Sequence, residues 1–207
     1  MTDGQQGRES RKEKNMQFKP QTNNGSAIID VEPGTYEAVL AEVRGYRGKK
    51  YGEDAYEPKL VFIWDLGEDE DGNPILMWDF VRIPRDKQGY PVLNDASHFY
   101  NRVSALYGKP FDVEDPQYAP EITFPDEYNS IEGLDKLPTF EEAKADPNFE
   151  PVLLESLKVA GVELLGREAL ITIEAKGDRT RVKSAAPKVR AKRPRAAKRE
   201  TADLPGV

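Results

Sequence analysis

KLVFIWDLGEDEDGNPILMWDFVRI, residues 59–83, places two apolar runs on either side of an acidic turn. The first, Lys59–Leu66, has the length and composition of a buried strand. GEDEDGNP at 67–74 supplies the glycine, proline and acidic residues that close a hairpin. The second run, Ile75–Ile83, has two distinct faces. Leu76, Trp78, Phe80 and Arg82 share one, and Ile75, Met77, Val81 and Ile83 share the other with Asp79.

Upstream, Val31-Glu32-Pro33-Gly34 signals a turn into a strand over Thr35–Arg44, apolar on both faces. Between the strands, residues 45–58 hold three glycines and no apolar periodicity, which predicts a loop. Downstream, a helix is expected over about Ala96–Tyr107. Asn94 or Asp95 would cap it, Gly108 would stop it, and Phe99, Val103 and Leu106 form its apolar stripe. Residues 111–151 are acidic and dense in proline, so only short elements fit there. One is a turn of helix at Thr139–Ala145, where Thr139 and Glu142 match a capping box. A second helix is expected near Val152–Lys158. Strands over Ala169–Ala175 and Arg179–Ser184 follow, joined through Lys176-Gly177-Asp178.

Five strands with a helix between the third and fourth form the order of an OB-like β-barrel. The expected fold is therefore mainly β, with one or two helices. Its domain covers 28–187, including the acidic proline-rich insertion 111–151. An arm at 1–27 and a basic tail at 188–207 are expected to be disordered, because polar and charged segments with little to bury do not pack. A chain with 38% hydrophobic and 32% charged residues fits that division.

Cysteine is absent, which removes disulfides and thiol chemistry together. His98 is the only histidine, so histidine-centred metal sites and Ser-His-Asp triads have no support. No phosphate-cradling glycine motif occurs. The expectation is no catalysis, no metal and no cofactor. No apolar stretch suits a membrane span, and the N-terminus lacks a signal-peptide core, which points to the cytoplasm.

Charge is segregated. Net charge is −7, yet residues 176–199 carry +10 and residues 111–150 carry −10. Such asymmetry marks interaction surfaces. Across 44–59, Arg44, Arg47, Lys49, Lys50 and Lys59 alternate with Tyr46, Tyr51 and Tyr56. Single-stranded nucleic acid needs that combination: cations for phosphates and rings on which bases stack. Trp78 and Phe80 with Arg82, followed by Arg85 and Lys87, would also make an aromatic binding face. Core residues show the same pattern, and core is the favoured reading of both rings. Lys176, Arg179, Arg181 and Lys183 line the last hairpin, and a one-sided row of like charge is costly unless water or a polyanion screens it. The tail continues that track.

PGTYEAVLAEVR, the Lys-Lys-Tyr-Gly loop, KLVFIWDL, ILMWDFVRI, HFYNRVSALYG and LLGREALITIEAKGDRTRVKSAAP are together similar to a group of bacteriophage single-stranded-DNA-binding proteins of replication and recombination. The resemblance covers about 33–108 and 164–187. It implies an OB-like fold, sequence-independent binding of single-stranded DNA and no enzymatic activity. Two features depart from that group: the long acidic segment 111–151, and a basic C-terminus where many such proteins end in an acidic recruiting tail. The acidic segment is then expected to recruit replication or recombination proteins. A homo-oligomer stays open. Two other readings remain: a virion or structural protein whose basic tail touches DNA, and a metal-dependent nuclease using Glu174 and Lys176 with Asp126.

Overall fold

The computed structural model describes residues 31–188, apart from 51, 53, 89, 147 and 178. The expected arm at 1–27 and the tail beyond Lys188 lie outside the described residues. The first three strands are β1 (Gly34–Lys49), β2 (Tyr56–Glu68) and β3 (Pro74–Arg82), followed by helix α1 (His98–Tyr107). Short pieces come next: β4 (Glu121–Thr123), α2 (Ile131–Leu134), α3 (Phe140–Ala145), β5 (Val152–Leu153), β6 (Ser156–Val159) and β7 (Val162–Glu163). A final hairpin joins β8 (Glu168–Lys176) to β9 (Arg179–Pro187).

The chain is mainly β, and its main sheet is antiparallel in the order β3-β2-β1-β8-β9, with β5 also on β1. A second small sheet joins β4, β6 and β7. β1 is long enough to serve neighbours in succession: β8 pairs with Gly34–Val39, while β2 pairs from Val39 to Lys49 across a bulge at Leu40–Glu42. Among the described residues, strand pairing does not close the sheet into a barrel, since β3 and β9 end the path. Helix α1 spans the gap instead. Asn101 exchanges two hydrogen bonds with the backbone of Ala185 on β9. Next to it, the Arg102 guanidinium donates to Asp79 on β3 and to the Val182 carbonyl on β9.

Phe99, Val103 and Leu106 of α1 enter a core with Leu40, Val43, Leu60, Phe62, Trp64, Met77 and Val81. Each such side chain contributes about 1.5–3 kcal/mol when fully buried. The helix starts later than the expected Ala96, with Ser97 as its cap. Asn94 instead makes the preceding turn, accepting from the Ala96 and Ser97 amides.

Two expectations fail in the backbone. The loop expected over 45–58 is mostly paired strand, with Gly45 opposite Leu60 and Lys49 opposite Tyr56. Its periodicity was hidden because one face there carries charged and aromatic residues. Gly45 is not a flexible joint: a Cβ there would stand 2.7 Å from a Phe124 ring carbon and 3.0 Å from Leu137. The helix expected at Val152–Lys158 is replaced by β5 and β6. Leu157 and Val159 alternate inward in β6, which turns into β7 through Ala160-Gly161. Both turn residues have positive φ, 49° and 72°, as a type I′ hairpin requires. The acidic segment also does more than decorate the surface. Phe111, Phe124, Leu134 and Leu137 bring it into the main core.

Candidate functional site

The ladders bring Tyr46, Lys59 and Arg82 into one cross-strand row on the outer face of β1, β2 and β3. The next row is Arg44, Val61 and Phe80, and beyond it Ile63 lies opposite Trp78. Part of this face is covered: Phe140 and Ala143 of α3, with Phe149, pack on Tyr46, Val61 and Ile63. The β3 side stays open. Trp78 is 38% and Phe80 51% exposed, so the favoured core reading of these two rings is overturned. The inward face of β3 belongs to Met77, Asp79 and Val81, as strand alternation requires.

The rings form a continuous cluster. Phe140 meets Phe80 edge-on at 5.3 Å, Tyr46 at 5.8 Å and Trp78 at 6.4 Å. The Arg44 guanidinium lies 5.0 Å above the Trp78 ring. Beside the cluster an open groove of about 940 Å³ runs past Lys49, Lys50, Lys59, Phe80 and Arg82. Cation and aromatic thus share one surface.

Most of these cations already have partners. Arg44 is paired with Glu42. Glu57 bridges Arg82 at 2.9 Å and Lys59 at 3.9 Å, and Lys59 also donates to the Lys49 carbonyl. Lys49 is exposed and lies 4.0 Å from the fully exposed Asp54. Arg47 is a structural clamp: its Nε donates to the Leu137 carbonyl and its backbone amide to the Pro138 carbonyl, tying the acidic segment to β1. Tyr46 is buried, so it cannot stack a base; burial pushes its hydroxyl pKa up against the opposing influence of Arg44. Tyr56 is exposed, and Tyr51 lies outside the described residues.

The last hairpin is elsewhere. Gly34 pairs with Ile173, so the Lys176–Arg179 end lies past the start of β1, and Lys49 ends its other extremity. All of that 16-residue strand separates the two basic patches. Two members of the like-charged row share one carboxylate across the ladder. Arg181 donates twice to Glu174, at 2.6 and 2.9 Å, and Lys183 sits 3.4 Å from the same carboxylate. The Arg181 hydrogen bond is the main reason that carboxyl is held below its usual range.

No family model, curated protein or solved structure matches this chain. Its own geometry carries the functional reading. Among the described residues, no group of three or more His, Cys, Asp or Glu side chains could hold a metal ion, and no helix is long and apolar enough to cross a membrane.

Phe140, Phe149, Glu42 and Glu57 are parts of this surface that sequence reasoning missed. The two glutamates had a signal: each sits two residues from a candidate cation on the same strand, hence on the same face. The two phenylalanines had none, because their place depends on how 137–150 folds back over β1.

Proposed function

We propose that this protein binds single-stranded DNA on the outer face of β1, β2 and β3. Bases would stack on Phe80 and Trp78, and phosphates would run along Lys49, Lys50, Lys59 and Arg82. The observation that carries the reading is the exposure of two large rings beside a cationic groove. A solvated ring next to a cation costs the fold something and suits a ligand with a π-face and a phosphate. The element order also supports reading the sheet as an OB-like barrel left open between β3 and β9, with α1 in the gap. Carboxylates paired to the groove cations temper affinity, because phosphate must displace Glu57. Binding is therefore expected to be salt-sensitive, weakly selective for sequence and without catalysis.

The test is a titration of labelled oligo-dT and of a duplex of equal length at two salt concentrations, with wild-type protein and with Trp78→Ala and Phe80→Ala. Single strand should be favoured, and each substitution should weaken it by about 1–3 kcal/mol. Equal affinity for duplex, or unchanged affinity in both variants, would remove this face from the site. The groove and the tail would then be charge alone, as the structural-protein alternative requires.

A further inference from the structure

Next to the groove is a smaller slot of about 250 Å³, bounded by Tyr46, Gly48, Lys59, Phe80, Phe140 and Glu141. Lys59 and Phe80 line both spaces, so the slot adjoins the groove. It is smaller than the sites that hold drug-sized ligands and is walled by rings, which suits one planar heterocycle. Its floor depends on Gly48: a Cβ there would stand 2.8 Å from the Lys59 stem, which lies across that position.

The polar atoms around the slot are unequal. Arg47 is committed to Leu137 and Pro138, and Lys59 to the Lys49 carbonyl. Glu142, the neighbour on α3, is occupied by the capping box, accepting from the Thr139 amide at 2.7 Å and its hydroxyl at 2.9 Å. Glu141 makes no hydrogen bond or ion pair among the described residues, although it is the carboxylate at the slot. The slot therefore offers rings and one uncommitted acceptor.

We infer that this slot reads one base of the bound strand, and that Glu141 selects bases bearing an exocyclic amino group, cytosine above uracil or thymine. The inference rests on the single-strand reading above. A carboxylate accepts from the cytosine N4 amino group, whereas uracil presents the O4 acceptor there and repels it. A basic peptide would also suit rings and a carboxylate, but the adjoining groove of lysines and Arg82 disfavours it.

The experiment compares oligo-dC with oligo-dU of equal length at pH 8, by anisotropy, on the full-length chain. These pyrimidines differ at position 4, amino against O4, and at N3, an acceptor in cytosine and an N–H donor in uracil, so the contrast reads one edge of one ring. Wild type should favour oligo-dC by about fivefold or more, the lower end expected of one good base contact. Glu141→Ala, on an exposed helical position, should bring the ratio to about one while leaving oligo-dU affinity the same or higher. Equal wild-type affinities, or a preference that survives Glu141→Ala, overturns the inference and leaves the binding face intact. No binding of either oligonucleotide at low salt removes the proposed function itself, and the slot with it.

Discussion

Arg102 reaches from the middle of α1 to the one acidic residue on the inward face of β3. Both partners are buried, Arg102 at 1% and Asp79 at 5% exposure. The guanidinium donates to Asp79 at 2.6 and 3.4 Å, to the Val182 carbonyl at 3.0 Å and to Asn101 at 2.6 Å, while the Trp64 indole approaches the same carboxylate at 3.4 Å. A buried pair adds little over an apolar one, but a single partner left behind is costly. Asp79→Ala should therefore lower stability by about 3–5 kcal/mol in urea denaturation. The double variant Asp79→Leu, Arg102→Met should recover much of it. A single-variant cost below about 1 kcal/mol would show that Arg102 finds another acceptor. This ion pair is what spans the unpaired edges of β3 and β9, so removing it should also weaken the platform next to it.

The β6–β7 hairpin makes two predictions at the scale of elements. Ala160 has φ of 49°, where a Cβ costs about 1–2 kcal/mol. Ala160→Asn, which supplies the preferred Asn-Gly turn, should raise the urea midpoint; a fall would mean that the turn relaxes out of type I′. Within the same hairpin, Glu163 accepts from the Ser156 hydroxyl at 2.6 Å and from the amides of Leu157, Leu164 and Leu165 at 3.0–3.2 Å. Burial pushes its pKa up, but these donors outweigh burial and hold it below the ordinary 4.5. The folded value is thus the lower one. The contribution is complete above about 4.5 and disappears as pH falls through the folded pKa. Glu163→Gln should lower stability at neutral pH and flatten its dependence below pH 5; parallel acid curves for both proteins would exclude Glu163 as a contributor. The β2–β3 hairpin, the stripe of α1 and the capping box of α3 were legible because each is a local pattern of period two or 3.6, or a fixed spacing. β5 to β7 were not. Two- and four-residue strands carry too few positions for a period, and Val152–Lys158 satisfies a helical template until its tertiary partners β1, β4 and β7 decide. The pairing of Glu174 was equally hidden, since it faces Arg181 only through the register of β8 on β9.

Across the described residues, charge is divided into three zones, and the tail expected to continue the track of the last hairpin lies outside them. The groove lies at one end of β1 and the last hairpin at the other, with the acidic segment folded against the groove end through Arg47. Six of the eleven basic residues in 176–199 lie beyond Lys188, which is itself held by Glu37 at 2.7 Å and Glu168 at 3.0 Å. Nonspecific binding of phosphate should therefore come mainly from 189–199, and discrimination of single strand from the groove. Removing residues 189–207 should weaken single-stranded and duplex DNA by similar factors. It should also flatten the slope of log affinity against log salt, by about 0.7 for each single-strand phosphate that is no longer neutralised. The preference for single strand should survive. Lys49→Ala with Lys50→Ala should do the reverse, lowering single-strand affinity more than duplex affinity and so eroding the preference. If truncation instead abolishes the preference, the tail is the reader. The exposed rings would then need another occupant, and the protein-contact alternative would account for them better than DNA does.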